Sequence, residues 1–127
     1  MAGYVANIEQ ETLDNENFRR VLNTAGNSQL VVMSLLPGEE IGMEVHDLDQ
    51  FIRFEAGTAR VVLDGEEHEV SGDWAVVIPA GTNHNVINIS DSEKLKLYTI
   101  YSPPEHPAGT VHVTKAEAMA AEAHHHH

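Results

Sequence analysis

The chain has 127 residues, a formal net charge of −13 and no cysteine. The length suits one domain with a substantial core, and the absence of cysteine excludes disulfides, thiolate nucleophiles and zinc–thiolate sites. The negative charge opposes binding to phosphate backbones and anionic lipids. Because the sequence also has no apolar run of ~18 residues and no cleavable leader, we expect a cytoplasmic protein that binds neither nucleic acid nor membrane.

The first elements of the chain are a helix and a strand. Scattered apolar residues predict a short amphipathic helix or turn over residues 15–23, with Arg19 and Arg20 facing outward. The run Gln29–Leu36 is β-prone and almost continuously apolar, so it predicts a strand that serves core packing or subunit exchange.

The middle of the chain predicts a series of short strands separated by Gly, Pro and Asp turns. Asp64-Gly65 is a strong hairpin signal, and His68, flanked by glutamates, is expected on a solvated strand face. The predicted strands, of which the fourth is expected to be buried, are Phe51–Phe54, Ala59–Leu63, Glu66–Val70, Trp74–Ile78, Val86–Ile89 and Leu95–Tyr101. This even spacing indicates an all-β sandwich or barrel.

The last segment contains three prolines between residues 102 and 109, which exclude a regular strand or helix there. It either folds across a barrel mouth as a fixed lid or packs outside as an extended arm, and we favour the arm. A lid would bring His106, or more weakly His112, to the site as an outer ligand or proton carrier. Thr114 and Glu117 then form a capping box before a short helix over residues 115–122.

Four side chains with metal-binding atoms occur in two strand–loop–strand units. Glu44 and His46 are two residues apart, so they share one face of a strand, and Gln50 opens the next strand. His84 follows the turn formed by residues 79–82. If both units line one barrel, these four side chains converge as a metal site.

The neighbours of His84 have two possible roles. Thr82, Asn83 and Asn85 either orient its ring through hydrogen bonds or are turn residues, and we slightly favour the turn.

The spacing of the two units resembles the two motifs of the cupin family. The first unit reads Gly38, five residues, Glu44-Val45-His46, three residues, Gln50, six residues and Gly57, and the second reads Gly72, six residues, Pro79-Ala80-Gly81, two residues, His84, three residues and Asn88. The resemblance implies a double-stranded β-helix, a jelly-roll barrel, with short helical segments at both ends. It implies one cupin domain over residues 1–123, while residues 124–127 resemble the remnant of a purification tag.

The ligand set departs from the family motif at two positions. Glu44 stands where the family has its first histidine, and Gln50 stands where it has glutamate. The resulting set of Glu44, His46, Gln50 and His84 is harder than the family's, which favours Mn(II), Fe(II) or Ni(II), with Zn(II) also compatible. The alternative is a degenerate site in which Glu44 and Gln50 are polar groups of the barrel mouth.

The resemblance to small cupins named for mannose-6-phosphate isomerase implies a metal-dependent enzyme for a small molecule, such as a sugar or sugar phosphate. The metal would act as a Lewis acid, with Glu44 as a candidate base. A metal-dependent dioxygenase, a non-catalytic binder and a structural oligomer stay open as alternatives. Arg53 is the best candidate clamp for an anion, although strand alternation puts it opposite Gln50. The resemblance and the β-prone strand also predict a homodimer.

Overall fold

Short antiparallel strands account for most of the chain. The computed structural model describes residues 3–125, and the elements of that range are α1 (Ile8–Asp14), β1 (Arg19–Thr24), β2 (Gln29–Leu35), β3 (Asp49–Ala56), β4 (Thr58–Leu63), β5 (Glu66–Ser71), β6 (Ala75–Ile78), β7 (His84–Asn88), β8 (Leu95–Ser102), β9 (Val111–His112) and α2 (Lys115–His125). The predicted all-β class with short terminal helices is confirmed. Residues 126–127 of the predicted tag remnant lie outside the described range.

The strands form two sheets. The larger has the order β6-β3-β8-β2-β1-β9 and the smaller the order β5-β4-β7, and every neighbouring pair is antiparallel. Isolated bridges from Glu40 to Ile87 and from Glu44 to His84 place the segment before β3 along the free edge of β7. Neither described helix has the length and apolar character needed to cross a bilayer.

The core lies between the two sheets and follows the two-residue period of the strands. In β3, Ile52 and Phe54 point inward and are fully buried, and they meet Val61 and Val86 from the smaller sheet. Gln50 lies on the same inward face of β3, because it is two residues before Ile52. The apolar core therefore continues into a polar interior at one end of the barrel.

The helix predicted over residues 15–23 is wrong. The Asn7 side chain accepts a hydrogen bond from the Gln10 amide and caps α1, which ends at Asp14, and residues 19–24 form β1 instead. Pairing with β2, with Arg19 opposite Met33, overrides the weak helical pattern. Arg19 consequently faces the interior and is only 2% exposed, whereas Arg20 faces outward as predicted.

The prediction of a buried strand at Trp74–Ile78 is also wrong. The strand begins at Ala75 and lies at the edge of the larger sheet, where Trp74 and Val77 are 54% and 64% exposed. A short apolar run does not reveal whether both of its faces are covered. The other predicted strands and the exposed position of His68 are confirmed.

The structure explains why two motif positions are occupied by asparagine and glycine. The buried Asn88 amide donates to the carbonyls of Leu35, Leu36 and Glu93, while its oxygen accepts from the Ser90 amide. Gly57 has a φ of +97°, and an added Cβ would lie 2.9 Å from the Lys94 carbonyl oxygen. Both residues hold the turn before β8 against neighbouring backbone.

The substitution Gly57→Ala should lower the free energy of unfolding by about 2–5 kcal/mol, because it adds a backbone clash to left-handed strain. Gly65→Ala is the matched control, since Gly65 also has a positive φ of +82° but has open space around its Cα. Urea denaturation of both variants measures the difference. Equal losses would show that the contact with the Lys94 carbonyl contributes nothing.

Candidate metal centre

Glu44, His46 and His84 come together at the polar end of the barrel. The backbones of Glu44 and His84 are joined by two hydrogen bonds, 2.8 Å from the Glu44 amide to the His84 carbonyl and 2.9 Å in the reverse direction. Each of the three side chains offers one ligand atom, and these atoms lie within 4.8 Å of one another. The geometry would let one metal ion contact all three.

The His84 ring is oriented by backbone. Its Nδ1 lies 3.0 Å from the Thr82 carbonyl oxygen, which can only accept, so Nδ1 carries the proton and donates. In the neutral ring Nε2 then bears the lone pair, and this buried atom has no hydrogen-bond partner among the described residues. A buried acceptor without a partner is costly, and a metal ion would satisfy it.

The His46 ring lies between two carboxylates. Its Nδ1 is 3.3 Å from Glu105 Oε2 and its Nε2 is 3.5 Å from Glu44 Oε1. The hydrogen bond to Glu105, followed by that to Glu44, raises the pKa of His46 to about 9. The bond to His46 in turn lowers the pKa of Glu105. Glu105 engages Nδ1 of His46 as the Thr82 carbonyl engages Nδ1 of His84, and Nε2 of His46 faces Glu44, so a metal ion at that atom would replace its proton.

The amide oxygen of the Gln50 side chain has no described hydrogen bond. The side chain is buried, and Nε2 donates to Thr99 Oγ1 at 3.0 Å. Oε1 is buried without a partner. Gln50 lies opposite Tyr101 in the sheet. The edge of one ring faces the other between Tyr101 and His46, with their centroids 6.0 Å apart. The amide is thus fixed by Thr99, on the face of the sheet that Tyr101 shares.

The three residues around His84 separate into different roles. Thr82 orients the ring, but through its backbone carbonyl. The Asn83 backbone pairs with Asp64, as expected of a turn residue. The Asn85 side chain accepts from the Gly42 amide and donates to Glu40 Oε1, so it secures the segment before β3. Neither asparagine has a described hydrogen bond to the His84 ring.

Residues 105–107 border the same cavity as the cluster, which corrects the expectation of an external arm. The buried Gln29 side chain donates to the His106 carbonyl at 2.7 Å and accepts from the amides of Glu105 and His106. These bonds hold the segment beside a cavity of about 780 Å³, which is lined by Met43, Glu44, Val45, His46, Glu105, His106, Pro107 and Glu122. Burial lowers the pKa of His106 to about 4. The centroids of the His106 and Tyr101 rings are 5.2 Å apart.

Arg53 is not part of this site. Its guanidinium pairs with Glu55 and Asp73, both at 3.0 Å. Because side chains alternate along a strand, Arg53 lies on the outer face of β3, on the opposite side from Gln50, as predicted. The anion clamp proposed for Arg53 is therefore wrong.

Comparison with known proteins defines the class of this chain. The family model for the cupin domain matches residues 31–101. A crystal structure of the protein BH2720 from Bacillus halodurans is 49% identical, with a TM-score of 0.91 over 94% of this chain and 95% of that one. The chain therefore belongs to the cupin family, and the predicted cupin barrel is confirmed.

Two further relatives are equally similar in sequence. The protein L612 of Acanthamoeba polyphaga mimivirus, which carries no assigned role, is 48% identical over 91% of this chain and 74% of its own length. The Bacillus subtilis protein YrkC, likewise without an assigned role, is 48% identical over 94% of this chain and 67% of its own length. The names of these two relatives give neither a family nor a reaction.

Metal-free protein should become less stable as the pH rises from about 6.5 to about 9. The pKa of His46 is raised from its ordinary value of 6.5 to about 9 in the folded state, so folding favours the protonated ring. That stabilisation is complete below pH 6.5 and is lost as the pH passes 9. Thermal unfolding of chelator-treated protein across this range measures the effect.

Glu105→Gln should flatten this pH dependence, because the strongest partner of the protonated ring is removed. Glu69→Gln is the control, since it removes the same charge from the exposed face of β5. An unchanged slope in Glu105→Gln would contradict the role given to Glu105.

Proposed function

We propose that this cupin binds a divalent metal ion through Glu44, His46 and His84, with Gln50 as a weak additional ligand, and that it is a small-molecule enzyme. The observation that carries the proposal is the shared orientation of the two imidazoles. Each has Nδ1 engaged by an acceptor; Nε2 of His84 has no described partner, and Nε2 of His46 faces Glu44, a ligand of the same cluster. The carboxylate oxygen of Glu44 and the ring nitrogens of His46 and His84 lie close enough together to bind a single ion.

The chemistry of the ligands favours Mn(II), Fe(II) or Ni(II), and Zn(II) is compatible. One carboxylate, two imidazoles and an amide oxygen form a mixed N/O set without sulfur. The set fits the orphaned atoms of the structure, because His84 Nε2 and Gln50 Oε1 are buried without partners. A bound divalent ion would act as a Lewis acid toward a substrate carbonyl or hydroxyl oxygen.

The residues of the cavity would bind the substrate and move protons. The cavity of about 780 Å³ suits a metabolite-sized molecule. Glu44 and Glu105 border it as carboxylates that can accept a proton, and the His46 ring joins them. A base beside a polarised hydroxyl–carbonyl pair is the requirement for isomerisation, so we propose this reaction type.

A phosphosugar is less well supported than an unphosphorylated substrate. Phosphate recognition needs several cationic donors, and Arg53 is paired on the outer face of its strand. Oxygen consumption by metal-loaded protein would replace the isomerase proposal by the dioxygenase alternative. Ligand-linked stabilisation without turnover would favour a non-catalytic binder.

Glu44→Ala, His46→Ala and His84→Ala should each abolish near-stoichiometric metal binding, because each removes one of three clustered ligands. Protein lacking residues 124–127 should be loaded with Mn(II), Fe(II), Ni(II) or Zn(II) and examined by elemental analysis and calorimetry. His68→Ala is the control, since His68 is exposed on β5. Failure of the wild-type protein to bind any of these ions would contradict the proposal.

Two further variants test the weaker positions of the site. Gln50→Glu should tighten metal binding, because a carboxylate replaces a neutral amide. Glu105→Gln should weaken it by about 10- to 100-fold, which is the usual effect of removing the carboxylate partner of a metal-binding histidine. Calorimetry with Mn(II) measures both, and tighter binding by Glu105→Gln would count against the proposed orientation of His46.

We further propose that the protein is a homodimer. The exposed Val77 of the edge strand β6, with the exposed Trp74 just before it, supports an interface there. Val77→Glu should then yield a monomer in light scattering, while Val113→Glu, at an equally exposed position beside α2, should not. A wild-type protein that is already monomeric would contradict this.

A further inference from the structure

Glu122 lines the cavity of the proposed metal site without being one of its ligands. It lies on α2, and its carboxylate has no ion pair or hydrogen bond with any other described residue. Its position follows from the packing of the helix. Ala118 is 3% exposed and belongs to the hydrophobic core, and residues four apart lie on the same face of a helix. The face of α2 that packs on the barrel therefore carries Glu122 one turn later, at the wall of the cavity.

The helix that carries Glu122 is fixed at its N-terminal end. Thr114 Oγ1 accepts a hydrogen bond from the Glu117 amide at 3.2 Å, and the Glu117 carboxylate accepts one from the Thr114 amide at 3.3 Å. Glu122 itself lies in the last turn of α2. The unpaired carbonyl groups at the end of a helix add negative potential there, which favours a cation nearby. The helix therefore reinforces the charge that Glu122 brings to the cavity.

The charge of the cavity favours a positive group on the ligand. The lining contains three carboxylates, and none of the described residues that form it is lysine or arginine. The carboxylates are those of Glu44, Glu105 and Glu122. A divalent ion at the proposed metal site would offset two of these negative charges, so that one would remain. A cavity whose walls carry charge of one sign attracts a group of the opposite sign and disfavours one of the same sign.

A second observation shows that this acidic cavity adjoins an unsatisfied binding group. His84 is 3% exposed, and its Nε2 has no described hydrogen-bond partner. Its ligand atom lies within 4.8 Å of those of Glu44 and His46, which line the cavity, so the buried ring is directed at this cluster. The cluster marks the place of the metal-bound end of a substrate. Met43 and Pro107 add apolar side chains to the lining, which suit the carbon skeleton of such a molecule.

We propose that Glu122 binds an ammonium group of the substrate, so that the substrate class is a small amine with a hydroxyl–carbonyl pair at its other end. The ammonium donates to the Glu122 carboxylate, while the oxygen pair binds the metal. This inference rests on the proposed function for the metal-bound end of the substrate. The Glu122 end rests on the placement of α2 and on the residues that line the cavity. A cavity of about 780 Å³ has room for an amino sugar.

Other charged groups match this end of the cavity less well. A phosphate or carboxylate group would face Glu105 and Glu122 with no cationic side chain among the described residues of the lining to pair with it. A second divalent ion such as Ca²⁺ or Mg²⁺ requires about six oxygen ligands, whereas one carboxylate is enough to pair with an ammonium group. The single charge left by the metal site is therefore matched by a singly charged cation.

The test uses Mn(II)-loaded protein in which alanine replaces residues 124–127, so that α2 keeps its length and the terminal histidines bind no metal. The probes are three sugars that share a hydroxyl–carbonyl end, and the opposite end carries an ammonium group in 6-amino-6-deoxyglucose, a hydroxyl in glucose and a carboxylate in glucuronate. In calorimetry, the protein should bind the amine more tightly than glucose. Glu122→Gln should bind the metal normally but lose about 2- to 5-fold in amine affinity, as expected of an ion pair at an exposed carboxylate, with little change for glucose. Glu69→Gln is the control, because it removes the same charge from the exposed face of β5.

Charge reversal provides a second measurement that does not depend on a loss of binding. Glu122→Lys should weaken binding of the amine and strengthen binding of glucuronate, because the sign of the charge at this wall changes. Equal affinities of the unsubstituted Glu122 protein for the amine and glucose would overturn the proposal, and so would unchanged affinities in a folded Glu122→Lys. A second equivalent of Mn(II) that Glu122→Gln removes would overturn the assignment of the amine.

The two proposals fail in different ways. If the protein binds no metal, the proposed function fails, and 6-amino-6-deoxyglucose titrated into metal-free protein decides the Glu122 end by the NMR shift of the Glu122 carboxyl carbon. A shift that glucose does not cause would support the ammonium contact, and no shift would overturn it. If metal binds normally and only the Glu122 responses are missing, the proposed function stands and the amine class is rejected.

Discussion

The pairing of Glu44 with His84 is the constraint on which the site depends. Two backbone hydrogen bonds join the segment before β3 to the start of β7, so the two motifs share one short stretch of sheet. His46 follows on the same face as Glu44, and its ring meets His84 with a centroid distance of 5.2 Å. Ligands that are far apart in sequence are thereby held by backbone geometry, which costs little reorganisation when a metal binds.

Local patterns were sufficient for much of the fold and for the centre of the site. Strand alternation correctly placed Glu44 beside His46 and Arg53 opposite Gln50, because both relations depend only on the period of a strand. The same kind of pattern failed for residues 15–23 and for Trp74–Ile78. The first outcome depends on pairing with β2 and the second on an edge position in the sheet. Neither property is encoded in a short window of sequence.

Glu105 at the site and the inward position of Arg19 were missed for a related reason. Glu105 reaches His46 only because the Gln29 side chain holds residues 105 and 106 with three hydrogen bonds. Arg19 was expected outside because two adjacent arginines normally face solvent, and only the register with Met33 turns the first of them inward. A buried glutamine at the start of β2 carried no signal of its own, since its partners are distant in sequence.

The charges of the interior indicate how a metal ion would replace the proton on His46. Glu44 and Glu105 flank His46, and in the absence of a metal the proton on His46 compensates them, which is why the pKa of this ring is raised to about 9. A divalent ion at Nε2 of both histidines would displace that proton and compensate the same carboxylates.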